Sequence, residues 1–206
     1  MTTNLHIGPY VSLDIETTGL NPENCQVLEI GAVLDDGTTP IEDCPTFHCY
    51  VDHCLILGES YALSMHPTIL RRIATKEEGY TYIQPWEVAT RFRDFLKEHG
   101  LDSENEKVFV AGKNYASFDA RFLSKITSWD KHVQVHHRIL DPAALYWEPE
   151  FDGAQLPDTK TCMERADIPG EVAHTAVEDA RVVVHLIRKA IDNRRSLVPD
   201  NLTLAS

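Results

Sequence analysis

Hydrophobic and polar residues alternate at the start of the chain, as they do in a half-buried β-strand. In YVSLDIE, large aliphatic residues occupy every second position, and the residues between them are polar or acidic; such alternation predicts a strand. The next segment, CQVLEIGAVL, has one apolar face, formed by Leu28, Ile30, Ala32 and Leu34. Residues 46–51 alternate again, and the DDG triplet before them suits a turn. The chain therefore opens with a predicted meander of three strands.

The remainder of the chain mixes helical and strand patterns. Residues 56–79 predict a helix or irregular insertion, with SMHPTILRRI as its clearest helical piece and Pro67 in the first turn. A stronger helix is predicted from about Trp86 to Glu98. Short strands are predicted for KVFVAG and RILD, and a helix is predicted between them for SFDARFLSKI. The segments that follow, LPDTKTCMERADI and VVVHLIRKAI, complete an α/β pattern. Because no repeat, low-complexity tract or linker interrupts the sequence, we expect one domain over residues 1–206.

Composition narrows the class of protein. The chain has 206 residues, of which 43% are hydrophobic and 25% charged, values typical of a soluble globular domain. No stretch resembles a membrane span, and MTTNLHIGPY lacks the regions of a signal peptide, so we expect a cytoplasmic location and no membrane partner. The net charge of −13 argues against nucleic acid as a partner, because phosphate binding usually requires a basic surface. Four carboxylates that hold two divalent cations, however, form a site of about zero net charge.

Cysteine and histidine residues crowd into one segment, CPTFHCYVDHC. The five cysteines are odd in number and form no CxxC pair, which argues against a disulfide framework. A zinc site is the alternative, with candidate ligands Cys44, His48, Cys49, His53 and Cys54. Zinc ligands usually come in two close pairs separated by a dozen or more residues, whereas this cluster is a single run with strand alternation. A strand is therefore the preferred interpretation.

Four acidic residues fall at positions where a sheet can bring them together. Asp14 and Glu16 are two apart on the first strand, so their side chains share a face with Cα atoms about 6.5 to 7 Å apart. Asp119 follows a strand and a loop, in the first turn of a predicted helix. Asp179 occupies the same kind of position in the last helix. Such a cluster contains only oxygen ligands, which magnesium and manganese prefer. An exposed polar strand face is the alternative for Asp14 and Glu16, but the apolar residues of the strand favour a central position, where unpaired acids would be costly.

The segment HTAVEDA precedes the last helix. Thr175 and Glu178 have the spacing of a capping box, which makes Thr175 the predicted N-cap and places His174 just outside the helix. Asp179 then lies near the positive end of the helix, which favours an ionised carboxylate. The alternative is an ordinary capped helix that follows an exposed histidine.

Three segments together resemble a known family. DIETTGL at 14–20, NYASFD at 114–119 and HTAVED at 174–179 are similar, in order and separation, to the three motifs of the DEDDh-type 3′–5′ exonucleases. This group includes proofreading exonucleases, RNase T and oligoribonuclease. The resemblance covers about residues 9–192 and leaves a short C-terminal tail. It implies an RNase H-like mixed β-sheet flanked by helices.

The resemblance also implies a role for each matching residue. Asp14, Glu16, Asp119 and Asp179 would hold two Mg²⁺ or Mn²⁺ ions, and His174 would activate the attacking water. The main chain of Thr17 and Thr18 and the side chain of Leu20 would seat the terminal nucleotide, and Asn114 would orient a phosphate or its own loop. The implied activity is removal of nucleoside 5′-monophosphates from the 3′ end of single-stranded DNA or RNA. The resemblance allows a homodimer, and no segment identifies an interface.

Two other classes of protein compete with this interpretation. The first is a catalytically silent domain of the same fold that binds nucleic acid or serves assembly. Loss of one or more acids would mark such a domain, and this chain keeps all four. The second is a zinc-dependent binding module built on CPTFHCYVDHC, which stoichiometric zinc would reveal.

Overall fold

The computed structural model describes residues 8–170 and 175–197. Its centre is a five-stranded sheet in the order β4-β3-β2-β1-β5. The strands are β1 (Tyr10–Thr17), β2 (Val27–Asp35), β3 (Thr46–Val51), β4 (Tyr82–Ile83) and β5 (Val110–Ala111). The first three form the predicted antiparallel meander, while β4 and β5 pair in parallel with β3 and β1. The sheet is therefore mixed, as expected.

Eight helices are described around the sheet. They are α1 (Ser60–Met65), α2 (Pro67–Thr75), α3 (Val88–Glu98), α4 (Asp119–Leu123), α5 (Trp129–His132), α6 (Pro149–Asp152), α7 (Thr159–Arg165) and α8 (Ala176–Leu197). Two 3₁₀ turns, Ile41–Asp43 and Pro142–Leu145, lie in the connections. None of the helices in the described part of the chain is long and apolar enough to cross a membrane.

The two faces of the sheet are covered by different helices. One face carries Val11, Leu13 and Ile15 and packs against α3, α4 and α5 through residues such as Phe92 and Trp129. The other face is covered by α8, which contributes Ala180, Val183, Val184 and Ile187 to a second apolar cluster. On that face Ser12 Oγ donates a hydrogen bond of 2.7 Å to the carbonyl of Ala180, which fixes α8 against β1. The even-numbered residues of β1 therefore face α8.

A register shift in β2 overturns one sequence expectation. Glu16 pairs with Glu29 and Thr17 with Val27, so Leu28 stands outside the regular pairing. Leu28 consequently packs with Tyr50 in a cluster separate from Ile30, and the prediction that it shares a face with Ile30 is wrong. A bulge adds one residue to one strand, and alternation alone does not reveal it.

Several helical and strand predictions hold with different bounds. SMHPTILRRI is divided between α1 and α2 at His66, because the residue before a proline disfavours helical backbone. RILD forms only an isolated bridge, between Leu140 and Ala111, instead of a strand. The helix predicted for SFDARFLSKI is shorter than expected, and Asp119 is its first residue.

Candidate active site

Asp14 and Glu16 lie on the face of β1 that α8 covers. Their cross-strand partners on β2 are Gly31 and Glu29, whereas Ile15 between them packs into the opposite core. Both acids are half-buried. The pleat of the strand therefore directs the two carboxylates to the same side, as their spacing predicted.

Gly31 lets the start of α8 approach this part of the sheet. A Cβ atom at Gly31 would lie 2.2 Å from the backbone carbon of Ala176 and 2.2 Å from the nitrogen of Val177. The first turn of α8 therefore rests directly on β2, opposite Asp14. Within this turn the backbone N–H of Asp179 donates to the carbonyl of Thr175 at 2.9 Å. One carboxylate oxygen from each of Asp14, Glu16 and Asp179 lies within 4.8 Å of the others.

Asp119 approaches from the other edge of β1. It is 3% exposed and is the first residue of α4. Gly112, directly after β5, lets the chain pass close to β1 on this side, since a Cβ there would lie 2.8 Å from the carbonyl oxygen of Leu13. Asp119 is outside the closest group of three acids, yet its charge acts on Asp14. All four predicted acids thus face one site.

Burial shifts the pKa values of Asp14, Glu16 and Asp119 upwards, and repulsion between acids adds to the shift of Asp14 and Glu16. The pKa of Asp14 is raised well above its usual value by burial and by the charges of its acidic neighbours, Asp119, Asp179, Glu16 and Glu29. Burial and nearby acids raise the pKa of Glu16 to about 8. Burial raises the pKa of Asp119 to about 7, although the nearby backbone N–H groups of Asp119 and Ile15 oppose the shift. Such repulsion is unfavourable unless positive charge enters the site.

The residues fit a divalent cation. Asp14, Glu16 and Asp179 offer only carboxylate oxygens, which magnesium and manganese prefer over nitrogen or sulfur. Their separation allows one ion to contact all three groups, and an ion would remove the repulsion that raises the pKa values of Asp14 and Glu16. Among the residues that the structure describes, these three form the only histidine, cysteine or acid group close enough to hold a metal.

A cavity of about 670 Å³ opens over the acids and is lined by residues from several elements. Besides the four acids, it includes Lys113, Asn114, Ser117, Asp158 and Thr159. Asn114 has a left-handed backbone, with φ of 58°, and its N–H donates to Asp141 Oδ2 at 3.0 Å. Asparagine tolerates this conformation better than most residues, so Asn114 shapes the loop that leads to Asp119. Its predicted role towards phosphate stays a prediction.

The loop after β1 carries the other predicted substrate residues. Thr18 is fully buried, its N–H donates to Gln26, and its carbonyl accepts from the N–H of Glu59. Thr17 Oγ1 donates to the carbonyl of Gly19 at 2.8 Å. Both threonines therefore shape the loop, and their contact with a nucleotide stays a prediction. Leu20 projects from the loop with 73% of its surface exposed, as a wedge residue requires.

His174 lies outside the described residues. The described chain resumes at Thr175, directly before the first residue of α8, which agrees with the predicted helix start. The role of His174 as a base stays a prediction.

Three of the five candidate zinc ligands have other surroundings. Cys49 is fully buried in the core, His48 contacts Glu29, and His53 Nε2 lies 2.8 Å from the carbonyl of Val27. The histidines of this segment thus make contacts within the sheet. Their separate contacts favour the strand interpretation over the zinc module.

Two residues beside the acids, His66 and Glu29, were not predicted from the sequence. His66 Nε2 lies 3.5 Å from Glu16 Oε2, and the sequence around His66 gives no signal of this contact. Glu29 is 1% exposed and acts electrostatically on both Asp14 and Glu16. An acid within the apolar run VLEIGAVL was a usable signal for Glu29, because an unpaired charge is costly in a central strand.

Comparison with known proteins agrees with this geometry. The model of the RNase T exonuclease family matches residues 11–187. The DNA polymerase III PolC-type of Clostridium perfringens is 28% identical over 182 residues, which are 87% of this chain and 11% of that protein. The protein of the same name from Pediococcus pentosaceus is 27% identical over 183 residues, again 87% of this chain and 11% of that protein. The chain therefore spans about a tenth of the length of these curated relatives.

Solved structures share the fold. The nuclease domain of 3′hExo, a DEDDh family member bound to rAMP, superposes with a TM-score of 0.64 at 15% identity, over 92% of this chain and 94% of that one. Escherichia coli exonuclease I in complex with a dT13 oligonucleotide gives a TM-score of 0.59 at 17% identity, over 93% of this chain and 42% of that one. The predicted RNase H-like fold is confirmed.

Proposed function

Because the chain belongs to the DEDDh-type 3′–5′ exonuclease family, a group of metal-dependent hydrolases, we propose that it removes nucleoside 5′-monophosphates from the 3′ end of single-stranded DNA or RNA. The observation that carries the proposal is the convergence of four acids in one open cavity, where the pKa values of Asp14, Glu16 and Asp119 are raised. A silent binding module has no use for such costly repulsion.

Asp14, Glu16, Asp119 and Asp179 would together hold two Mg²⁺ or Mn²⁺ ions. The chemistry that such a pair supplies is activation of a water and stabilisation of the leaving oxygen of a phosphodiester. Asp179 lies in the first turn of α8 and Asp119 is the buried first residue of α4, so both are fixed by their helices. Fixed ligands keep the reacting groups aligned.

His174 would take the proton of the attacking water. Its place immediately before Thr175 puts it outside α8 and five positions before Asp179. An imidazole with an ordinary pKa near 6.5 can accept a proton at neutral pH and release it again. The proposed division of labour is thus a titrating base beside a fixed acid.

The surface beside the acids suits unpaired bases. Segment 57–66 is fixed to the site at both ends: the N–H of Glu59 donates to the carbonyl of Thr18, and His66 contacts Glu16. Within this segment Tyr61 is 77% exposed, and Leu57 and Met65 are exposed as well. Exposed aromatic and apolar side chains bind bases by stacking, which requires bases that are free of a partner strand. This surface supports a single-stranded substrate.

A product ladder tests the proposal. DNA and RNA of one sequence, each labelled at the 5′ end, are incubated with Mg²⁺ or Mn²⁺ as single strands and as duplexes. We expect stepwise shortening of both single strands, slower attack on the duplexes and resistance of a strand with a blocked 3′ end. Calcium should bind without turnover, since its coordination is larger and looser. Immediate release of a labelled 5′ mononucleotide from a long strand, or full activity after exhaustive chelation, would contradict the proposal.

A homodimer and a cytoplasmic location stay predictions.

A further inference from the structure

Glu29 is a buried acid that stands beside the predicted ligands without belonging to them. It lies on β2 directly opposite Glu16, while Asp14, two positions earlier on β1, lies opposite Gly31. Paired residues of neighbouring strands direct their side chains to the same face. The side chain of Glu29 therefore points to the face that carries the acids.

One oxygen of Glu29 is firmly anchored. His48, on the next strand, has its Nε2 2.7 Å from Glu29 Oε1, at hydrogen-bond distance for a ring N–H that donates to the carboxylate. The His48 ring packs edge-on against Tyr50, with centroids 4.8 Å apart. Tyr50 in turn accepts a hydrogen bond of 2.8 Å from Arg72. A chain of contacts across β3 and α2 thus fixes the orientation of Glu29.

The second oxygen of Glu29 has no hydrogen-bond partner among the described residues, although it is fully buried. A buried carboxylate oxygen without a partner is costly, and native proteins retain few such groups. The charge of Glu29 raises the pKa of both Asp14 and Glu16, so its carboxylate contributes to the electrostatic field at their site. An unsatisfied carboxylate oxygen beside the four acids indicates that the positive charge of a bound cation balances it when the site is filled.

We propose that Glu29 is a positioning residue of the cation site, which raises the affinity for divalent cations without being one of their ligands. The inference rests on the proposed function, since it needs a cation at the four predicted acids. His48 holds Glu29 in place, and the charge of Glu29 adds to the attraction that the four acids exert. Mutation of a residue that supports the ligands of a metal site commonly lowers metal affinity by about 10- to 100-fold.

Binding of Mn²⁺ in the absence of nucleic acid tests this role. Calorimetry gives the Mn²⁺ affinity of the wild type and of Glu29→Gln, and melting in chelator gives the stability of each metal-free protein. Gln keeps the shape of Glu and an oxygen that can accept from His48, so the variant removes mainly the charge. We expect the affinity to fall about 10- to 100-fold while the melting temperature in chelator stays equal or rises, because a repelling charge is gone.

Asp35→Asn is the matched control. Asp35 is a fully buried acid on the same strand, it pairs with Arg188, and it lies away from the site. This variant should melt at a lower temperature and bind Mn²⁺ with unchanged affinity. His48→Leu provides a second measure should Glu29→Gln not fold, and it should weaken Mn²⁺ binding because Glu29 loses its anchor.

The outcomes separate this inference from the proposed function. Wild-type affinity in both Glu29→Gln and His48→Leu would overturn the role of Glu29 alone. A lower melting temperature of Glu29→Gln in chelator with unchanged affinity would likewise show a merely structural role. A wild type that binds no Mn²⁺ would overturn both proposals. A wild type that binds Mn²⁺ in a Glu29-dependent manner but cuts no strand would overturn only the exonuclease.

Discussion

Replacement of Glu16 by glutamine should stabilise the metal-free protein. Burial and the charges of Asp179, Glu29 and Asp119 raise the pKa of Glu16 from 4.5 to about 8. Since one pKa unit corresponds to about 1.4 kcal/mol, ionising Glu16 alone in this site costs roughly 5 kcal/mol. Neighbouring acids share protons with Glu16, which lowers the expected gain from Glu16→Gln to about 2–3 kcal/mol at pH 8.

The stability that Glu16→Gln adds should increase as the pH rises. Between pH 4.5 and about 8 the folded metal-free protein keeps a proton on Glu16 that the unfolded chain has released. The unfolding free energy of the wild type therefore falls as the pH rises through this window. Near pH 4.5 and below, Glu16 is protonated in both states, and the advantage of the variant should disappear. The other groups that face Glu16 are Asp14, Asp119, Asp179, Glu29 and His66.

Urea unfolding in chelator at pH 5, 6.5 and 8, followed by circular dichroism, measures these differences. Glu78→Gln, at an exposed acid away from the site, is the control and should change little. Excess Mn²⁺ should reverse the order of stability, because the wild type gains more from binding. A Glu16→Gln variant that is no more stable than the wild type at pH 8 in chelator would refute the electrostatic reasoning.

Three further predictions concern other parts of the site. Gly31→Ala should lower the unfolding free energy by about 1–3 kcal/mol and weaken Mn²⁺ binding, because the new Cβ would meet the α8 backbone at 2.2 Å. Urea unfolding measures the stability and calorimetry the Mn²⁺ affinity, and a variant with both values unchanged would contradict the close packing of α8 on Gly31. Tyr61→Ala should raise KM for a single strand, with about 1–3 kcal/mol lost from binding, whereas Phe151→Ala, at an equally exposed aromatic, should not; equal effects would exclude stacking on Tyr61. His174→Ala should lower turnover by about 10² to 10⁴ with metal binding intact and lose the acidic limb of the pH–rate profile, whereas Asp179→Ala should lose metal; equal metal loss in both would contradict a base.

Local patterns predicted most of the fold and the acids. Alternation identified β1, β2 and β3, since each strand buries one or both faces in a continuous sheet. The proline at 67 correctly marked the first turn of α2. Two-residue spacing placed Asp14 and Glu16 on one face, and first-turn positions placed Asp119 and Asp179 beside them. These features depend on residues close in sequence.

Features that depend on contacts between residues distant in the chain could not be predicted from the sequence. The bulge that moves Leu28 is defined by pairing between two strands, and the edge segment KVFVAG pairs over only two residues within β5. The close approach at Gly31 involves α8, which follows about 145 residues later. The partner of Glu29, His48, lies on a third strand. Pattern alone gives no register between strands, so it could not bring these groups together.

The turnover of Asp14→Asn on a 5′-labelled single strand tests the central claim most directly. Asp14 lies at the centre of the cluster, where four other acids act on its charge. In saturating Mg²⁺ or Mn²⁺ the variant should fold normally, as judged by circular dichroism, and lose nearly all stepwise shortening from the 3′ end. A folded Asp14→Asn variant with near-normal turnover would contradict the assignment of the acidic cluster as the catalytic site.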